Sequence, residues 1–219
     1  MTRRRTFSDM AFAADTNNAE FSVAWARGIA TQVLEWTWQA FDQLREKHLL
    51  KVDFSQPLDQ LERDLARHHF VELQQVFFAA NGGYSSLAPV PEWPEMESLS
   101  SSQAKPPAYD FAFVDIEHRR WAWPIEAKVL PTPGTISEYV KEIHAKFVGG
   151  VAAPLVGEAG MIAYLLSGSA DTFFANLEDR LAVALEVVAE FLNRPHRTST
   201  HSRPTAPTLR LHHMAMSCH

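Results

Sequence analysis

Two apolar runs, Tyr109 to Ile116 and Trp121 to Leu130, joined by the short charged connection Glu117 to Arg120, constrain this chain more than any other stretch. The pattern reads as two strands forming a hairpin. Alternation along the second strand puts Glu126 and Lys128 on one face and Ile125, Ala127 and Val129 on the other. A carboxylate and an ammonium side by side in so apolar a strand are costly to bury unless they pair or bind something. Asp110 stands at the start of the partner strand, within reach of the same pocket.

Two carboxylates converging beside one lysine suit a hard cation such as Mg²⁺, which prefers oxygen ligands and is usually held by one or two carboxylates plus waters and substrate phosphates. The lysine can then orient or deprotonate an attacking water, or stabilise charge on a phosphate. The chemistry this predicts is hydrolysis of a phosphodiester.

Asp110 followed by Glu126-Ala-Lys128 at the end of an apolar strand resembles the PD-(D/E)xK nuclease superfamily, which includes restriction endonucleases and Holliday-junction resolvases. The motif departs from its name, because Tyr109 precedes Asp110 and the nearest proline is Pro107. The resemblance implies an α/β restriction-endonuclease-like core, a mixed central β-sheet flanked by helices with the acidic motif on the second and third strands. It also implies a metal-dependent endonuclease using Mg²⁺, with Mn²⁺ as a substitute. The segments Tyr139 to Gly149 and Gly157 to Leu166 further resemble the region after the motif in bacterial restriction-endonuclease-like proteins, many of them in phage-defence settings. A role as effector in a defence or restriction system is the corresponding expectation.

The rest of the chain can supply that order of elements. Asn17 or Asn18 caps a predicted helix to about Lys47, with a wide tryptophan-rich stripe through Trp25, Val33, Trp36 and Phe41. A second helix opens at Ser55-Gln-Pro57 and runs to about Ala80, before Asn81-Gly-Gly83. Its apolar stripe, Leu61, Leu65, His69, Leu73 and Val76, contains Glu62 and has Glu72 on its edge. A carboxylate on a buried helical face needs a partner, a metal or a shifted pKa. In the nuclease superfamily this first core helix often gives a glutamate to the site, so Glu62 is the expected third carboxylate and Glu72 the alternative; a plain salt bridge would satisfy either. His68 and His69 are expected to be a packed or surface histidine pair rather than metal ligands.

Tyr84 to Val90 is the predicted first strand, and Pro91 to Pro107 a long loop near the site entrance. Thr135-Ile-Ser-Glu138 has the form of a capping box, starting a helix that ends at Gly149-Gly150, with Lys141 and Lys146 on its flanks. Gly160 to Leu166 is the fourth strand, Asp171 to Phe191 a helix, and Thr208 to Met216 the last strand. Domain boundaries follow: 1–54 as tail and accessory helix, 55–219 as the nuclease-like domain.

The formal charge of −6 argues mildly against a protein that holds nucleic acid by its net charge. The charge is unevenly spread, however: from Arg194 to His219 there are four arginines, five histidines and no acid. His201, Arg203 and Arg210, with Lys141, are the expected contacts to nucleic-acid phosphates. DNA is the expected substrate and RNA the alternative. The tryptophan-rich first helix is expected to join a second copy or a protein partner. A competing expectation, motivated by that helix and by the acidic balance, is a catalytically weak nuclease-fold subunit of a larger complex. The single Cys218 excludes an internal disulfide, the N-terminal apolar stretch is too short for an export signal, and no run of about 18 apolar residues predicts a membrane span. A reducing cytoplasm is the expected compartment.

Overall fold

A computed structural model of the chain describes residues 16–81, 86–95, 108–118 and 120–219. The basic N-terminal segment, the start of the predicted first strand at Tyr84 and most of the 91–107 loop lie outside the described residues. Helix α1 spans Thr16–Lys47 and α2 spans Leu58–Asn81. Strands β1 (Leu87–Pro91), β2 (Phe111–Asp115) and β3 (Ala122–Leu130) follow, then α3 (Ser137–Glu142) and β4 (Glu158–Leu165). Helix α4 (Ala170–Leu181) leads to β5 (Glu186–Val187), β6 (His196–His201) and β7 (Leu209–Ser217).

The seven strands form one mixed sheet in the order β1-β2-β3-β4-β7-β6-β5. β1, β2 and β3 are an antiparallel meander, β3 and β4 run parallel, and β4 and β7 run parallel. A parallel pair needs a crossover, which α3 supplies between β3 and β4. Strands β2 and β4 are buried at every residue, as expected of strands covered on both faces. Proline placement obeys the ladder. Pro89 and Pro91 sit on the edge strand β1. Pro124 lies one residue before β3 begins to pair with β4 at Ile125 and Gly160, so its missing N–H breaks no bond to that neighbour.

Alternation assigns the two helical layers. Tyr164 on β4 meets α1 and α2, whereas Met161, three residues away and so on the other face, lies under α3. On the first face Trp36 stacks on Phe113 at 5.9 Å and packs edge-on against Phe77 at 5.1 Å. Trp36 and Trp38 are thus buried in the chain's own core, which includes α1 together with the sheet. On the second face Tyr139 packs against Phe173 at 5.4 Å and donates from its hydroxyl to the Met161 carbonyl at 3.2 Å.

Three predicted elements differ. Thr135 does not cap α3: its hydroxyl donates back to the Thr132 carbonyl at 2.7 Å and closes the turn before the helix. The continuation of α3, Ile143–Val148, is π-helical. Helix α4 begins at the Ser169 cap, whose hydroxyl accepts from the Thr172 N–H, and stops at Ala182 in the left-handed conformation, about ten residues short of Phe191. The segment His196–His201, for which the sequence predicts no element, forms strand β6.

His69 ties three elements together. Its Nε2–H donates to the Thr37 carbonyl of α1 and its Nδ1 accepts from the Tyr164 hydroxyl of β4, both at 2.8 Å. Burial holds the imidazole down to about 4, against a partial upward pull from the Thr37 bond. The folded chain therefore resists a proton that the unfolded chain accepts at its ordinary value of 6.5. His69 favours the fold fully above pH 6.5, and roughly 3 kcal/mol of that is lost as pH falls towards 4. Urea unfolding across this window is expected to show a shallower loss in His69→Gln than in the wild type; parallel curves would contradict it.

Candidate functional site

The site forms where β2 and β3 part. Their last pair is Phe111 with Ile125. Beyond it, the N–H groups of Ala127 and Val129, which share the parity of Ile125, face a gap where a neighbouring strand would be. Side chains fill the deficit. Asp110 Oδ2 accepts from the Ala127 N–H at 2.7 Å, and Glu62 Oε2, arriving from α2, accepts from the Val129 N–H at 3.1 Å. Buried backbone donors need such partners. The fork thus draws two carboxylates to the end of β3 for reasons of backbone chemistry.

The fork also lets side chains from both layers meet. Glu126 and Lys128 belong to the α3 face of β3, paired with Met161 and Ala163. Lys128 Nζ reaches through the gap to Glu62 Oε1 at 2.6 Å. Glu126, 2% exposed, takes Lys146 Nζ on its Oε1 at 2.5 Å, and the same ammonium lies 3.1 Å from Glu142. Asp110 lies close enough to Glu126 for its charge to act on that carboxyl.

Electrostatics follow from this crowding. Burial first, then the charge of Asp110, pushes Glu126 well above the usual carboxylate range, and Lys146 offsets only part of that. Burial also raises Glu62, with Lys128 pulling back. Burial alone would lower Lys128, yet its bond to Glu62 and the charges of Asp110 and Glu126 hold it above its ordinary value, so it is an ammonium. Lys146 is pushed up to about 12 against burial by Glu126 and Glu142. Four carboxyl groups, Asp110, Glu126, Glu62 and Glu142, therefore face two ammonium groups, Lys128 and Lys146.

Asp110 and Glu126 are the oxygen donors that could hold a divalent ion here. Among the described residues no group of three or more His, Cys, Asp or Glu side chains is arranged around a metal position. Two carboxylates are the usual protein share for Mg²⁺.

Asp110, Glu126, Lys128 and Glu62 are thus brought together at the fork. Glu72 is elsewhere. It is buried against Lys47 at 2.7 Å and His48 at 2.8 Å, and these bonds outweigh burial to keep its carboxyl below the usual range. His68 stacks on His48 at 4.9 Å. The predicted phosphate contacts need correction. His201 and Arg203 are buried; His201 bonds Ser199, and the Arg203 guanidinium donates to the carbonyls of Ala152, Ala153, Val156 and Pro207. Arg210 is half-buried beside Glu158 in a small cavity, and Lys141 pairs with Glu138 at 2.9 Å in solvent. No basic surface patch is built from these residues. Lys146, which the helical pattern places only on a flank, is the lysine of that segment at the site.

A groove of ≈ 900 Å³ opens against the site, lined by Asp59, Glu62, Arg63, Arg67 and Phe70 of α2 on one side and by Pro91, Glu92, Tyr109 and Asp110 on the other. Glu92 donates its N–H to the Asp110 carbonyl at 3.0 Å, fixing the backbone that carries the acid. No protein-family model, curated protein or solved structure matches this chain.

Proposed function

We propose that this chain is a metal-dependent phosphodiester hydrolase acting on nucleic acid, built on a restriction-endonuclease-like core. The observation that carries this reading is the meeting of Asp110, Glu126, Lys128 and Glu62 at the β2–β3 fork. The order α2, β1, β2, β3, α3, β4, with β3 and β4 parallel, supports it, because that is the order the resemblance asks for.

Asp110 and Glu126 would hold Mg²⁺, with Mn²⁺ as a substitute. When bound, such an ion polarises a phosphoryl oxygen and lowers the pKa of a coordinated water. The chain's own groups supply the rest. Lys128, kept as an ammonium, donates to a phosphoryl oxygen or orients the attacking water. Glu62 fixes Lys128 in place while satisfying the Val129 N–H. Lys146 holds Glu126 until a cation competes for its oxygens. Burial of the cluster strengthens each of these interactions relative to water.

The test is incubation with duplex DNA, single-stranded DNA and RNA in Mg²⁺, Mn²⁺ or chelator, alongside Asp110→Asn. Cleavage by the wild type that disappears with chelator, and falls by about 10²-fold or more in Asp110→Asn, is the expected result. No cleavage of any substrate in either metal overturns the proposal.

A further inference from the structure

We infer that the groove beside the site takes a single strand of nucleic acid rather than a duplex, with Arg63 and Arg67 on its backbone phosphates and a base laid against Phe70, Val71 and Pro91. This rests on the hydrolase reading of the neighbouring carboxylates and specifies the substrate for it.

Arg63 and Arg67 are four residues apart on α2, hence on one helical face about 6 Å apart along the axis. Both are exposed and both line the groove. Arg63 donates to Gln60 at 3.3 Å, a long bond easily exchanged for a phosphate. The row of cations leads to the site, because Glu62, adjacent to Arg63, reaches Lys128. The groove floor is of different chemistry. Phe70 is anchored on Phe111 at 6.2 Å, Val71 is 41% exposed, and Pro91 closes the far side. A duplex presents sugars and phosphates outward and cannot fill an apolar floor. A single strand can unstack a base onto it.

Charge on the two walls points the same way. Arg63 and Arg67 stand on the α2 wall, whereas Glu92 stands on the wall formed by the end of β1. A duplex broad enough to bridge both walls would press phosphates against Glu92. One strand needs only the stretch of that wall carrying Arg63 and Arg67, which the acids Asp59 and Glu62 bound on the side of the site.

The experiment measures binding of a labelled single strand and of the matching duplex to full-length Lys128→Met, in Mg²⁺ over a range of salt, with and without Arg63→Ser and Arg67→Ser together. The single strand is expected to bind at least tenfold more tightly than the duplex. Losing both arginines should make the dependence of log affinity on log salt shallower by about 1.4, two single-strand phosphate contacts at ~0.7 each. Val71→Trp, which adds a stacking surface at an exposed position, should tighten single-strand binding several-fold. Equal or tighter duplex binding, or a salt dependence unmoved by the double substitution, overturns the inference. The two readings fail separately. Arginine-dependent single-strand binding by a wild type that cuts nothing leaves the groove standing and removes the hydrolase, whereas metal-dependent cutting with an unmoved salt dependence does the reverse.

Discussion

Lys128→Met is expected to lower nucleic-acid cleavage by about 10²- to 10³-fold, the cost of removing one preorganised donor to developing charge, while leaving the fold intact. Methionine keeps the linear apolar stem, so packing along β3 changes little. Glu62 loses its ammonium partner but retains the Val129 N–H, and its carboxyl, already raised by burial, can take up a proton in place of the lost charge. The stability cost is therefore about 1 kcal/mol, or 2–4 °C in melting temperature for a chain of this size. Lys128→Arg should not restore activity. A planar guanidinium is broader than an ammonium and cannot occupy the same gap between Glu62 and β3. Single-turnover cleavage alongside thermal unfolding checks both halves. Cleavage retained in Lys128→Met removes the lysine from the mechanism, and loss of activity accompanied by unfolding makes Lys128 a scaffold residue only.

The residues of the site were legible because they lie on regular elements whose period transfers from sequence to space. Alternation places Glu126 and Lys128 together, and the 3.6-residue stripe of α2 turns Glu62 towards the sheet. Lys146 was not legible in the same way. The segment Ile143–Val148 is π-helical, so an angle of 100° per residue misplaces every side chain after Glu142. The overlong α4 has a related cause. Leu181, Leu185 and Val188 continue the helical spacing in sequence, yet Ala182 turns left-handed, Leu185 falls in the loop before β5 and Val188 precedes the 3₁₀ turn Ala189–Phe191. Strand β6 is not visible in the sequence because His196-Arg-Thr-Ser-Thr-His201 has no apolar alternation. Its histidines and Ser199 are buried in hydrogen bonds instead: His196 bonds His212 at 3.0 Å and Trp38 at 3.4 Å, and Ser199 bonds His201 and His213, each at 2.7 Å. A run of cations and histidines reads as surface until its partners are known.

Arg203 is the clearest instance, and it carries the largest expected effect on stability. Its guanidinium is buried, its affinity for its proton reduced by that burial to about 10, and it is still charged at neutral pH. Three of its four carbonyl partners, Ala152, Ala153 and Val156, belong to the segment that leads into β4, and Ala153 holds a positive φ of 52°. That segment reaches the site, since the Ala153 N–H donates to the Tyr109 hydroxyl at 2.7 Å, and Tyr109 precedes Asp110. Arg203→Met replaces the guanidinium with a side chain that cannot donate and leaves these carbonyls without it. Unpaired buried acceptors cost about 1–3 kcal/mol each, partly recovered where water enters, so a net loss of about 3–5 kcal/mol is expected. For a chain of this length that lowers the melting temperature by about 10 °C. Single-strand binding, measured well below the new melting temperature, should keep its salt dependence, because Arg203 donates inward to carbonyls and offers nothing to a phosphate. A stable Arg203→Met protein whose binding becomes distinctly less salt-dependent would return Arg203 to the nucleic-acid surface and discard its role as a staple for the β4 approach.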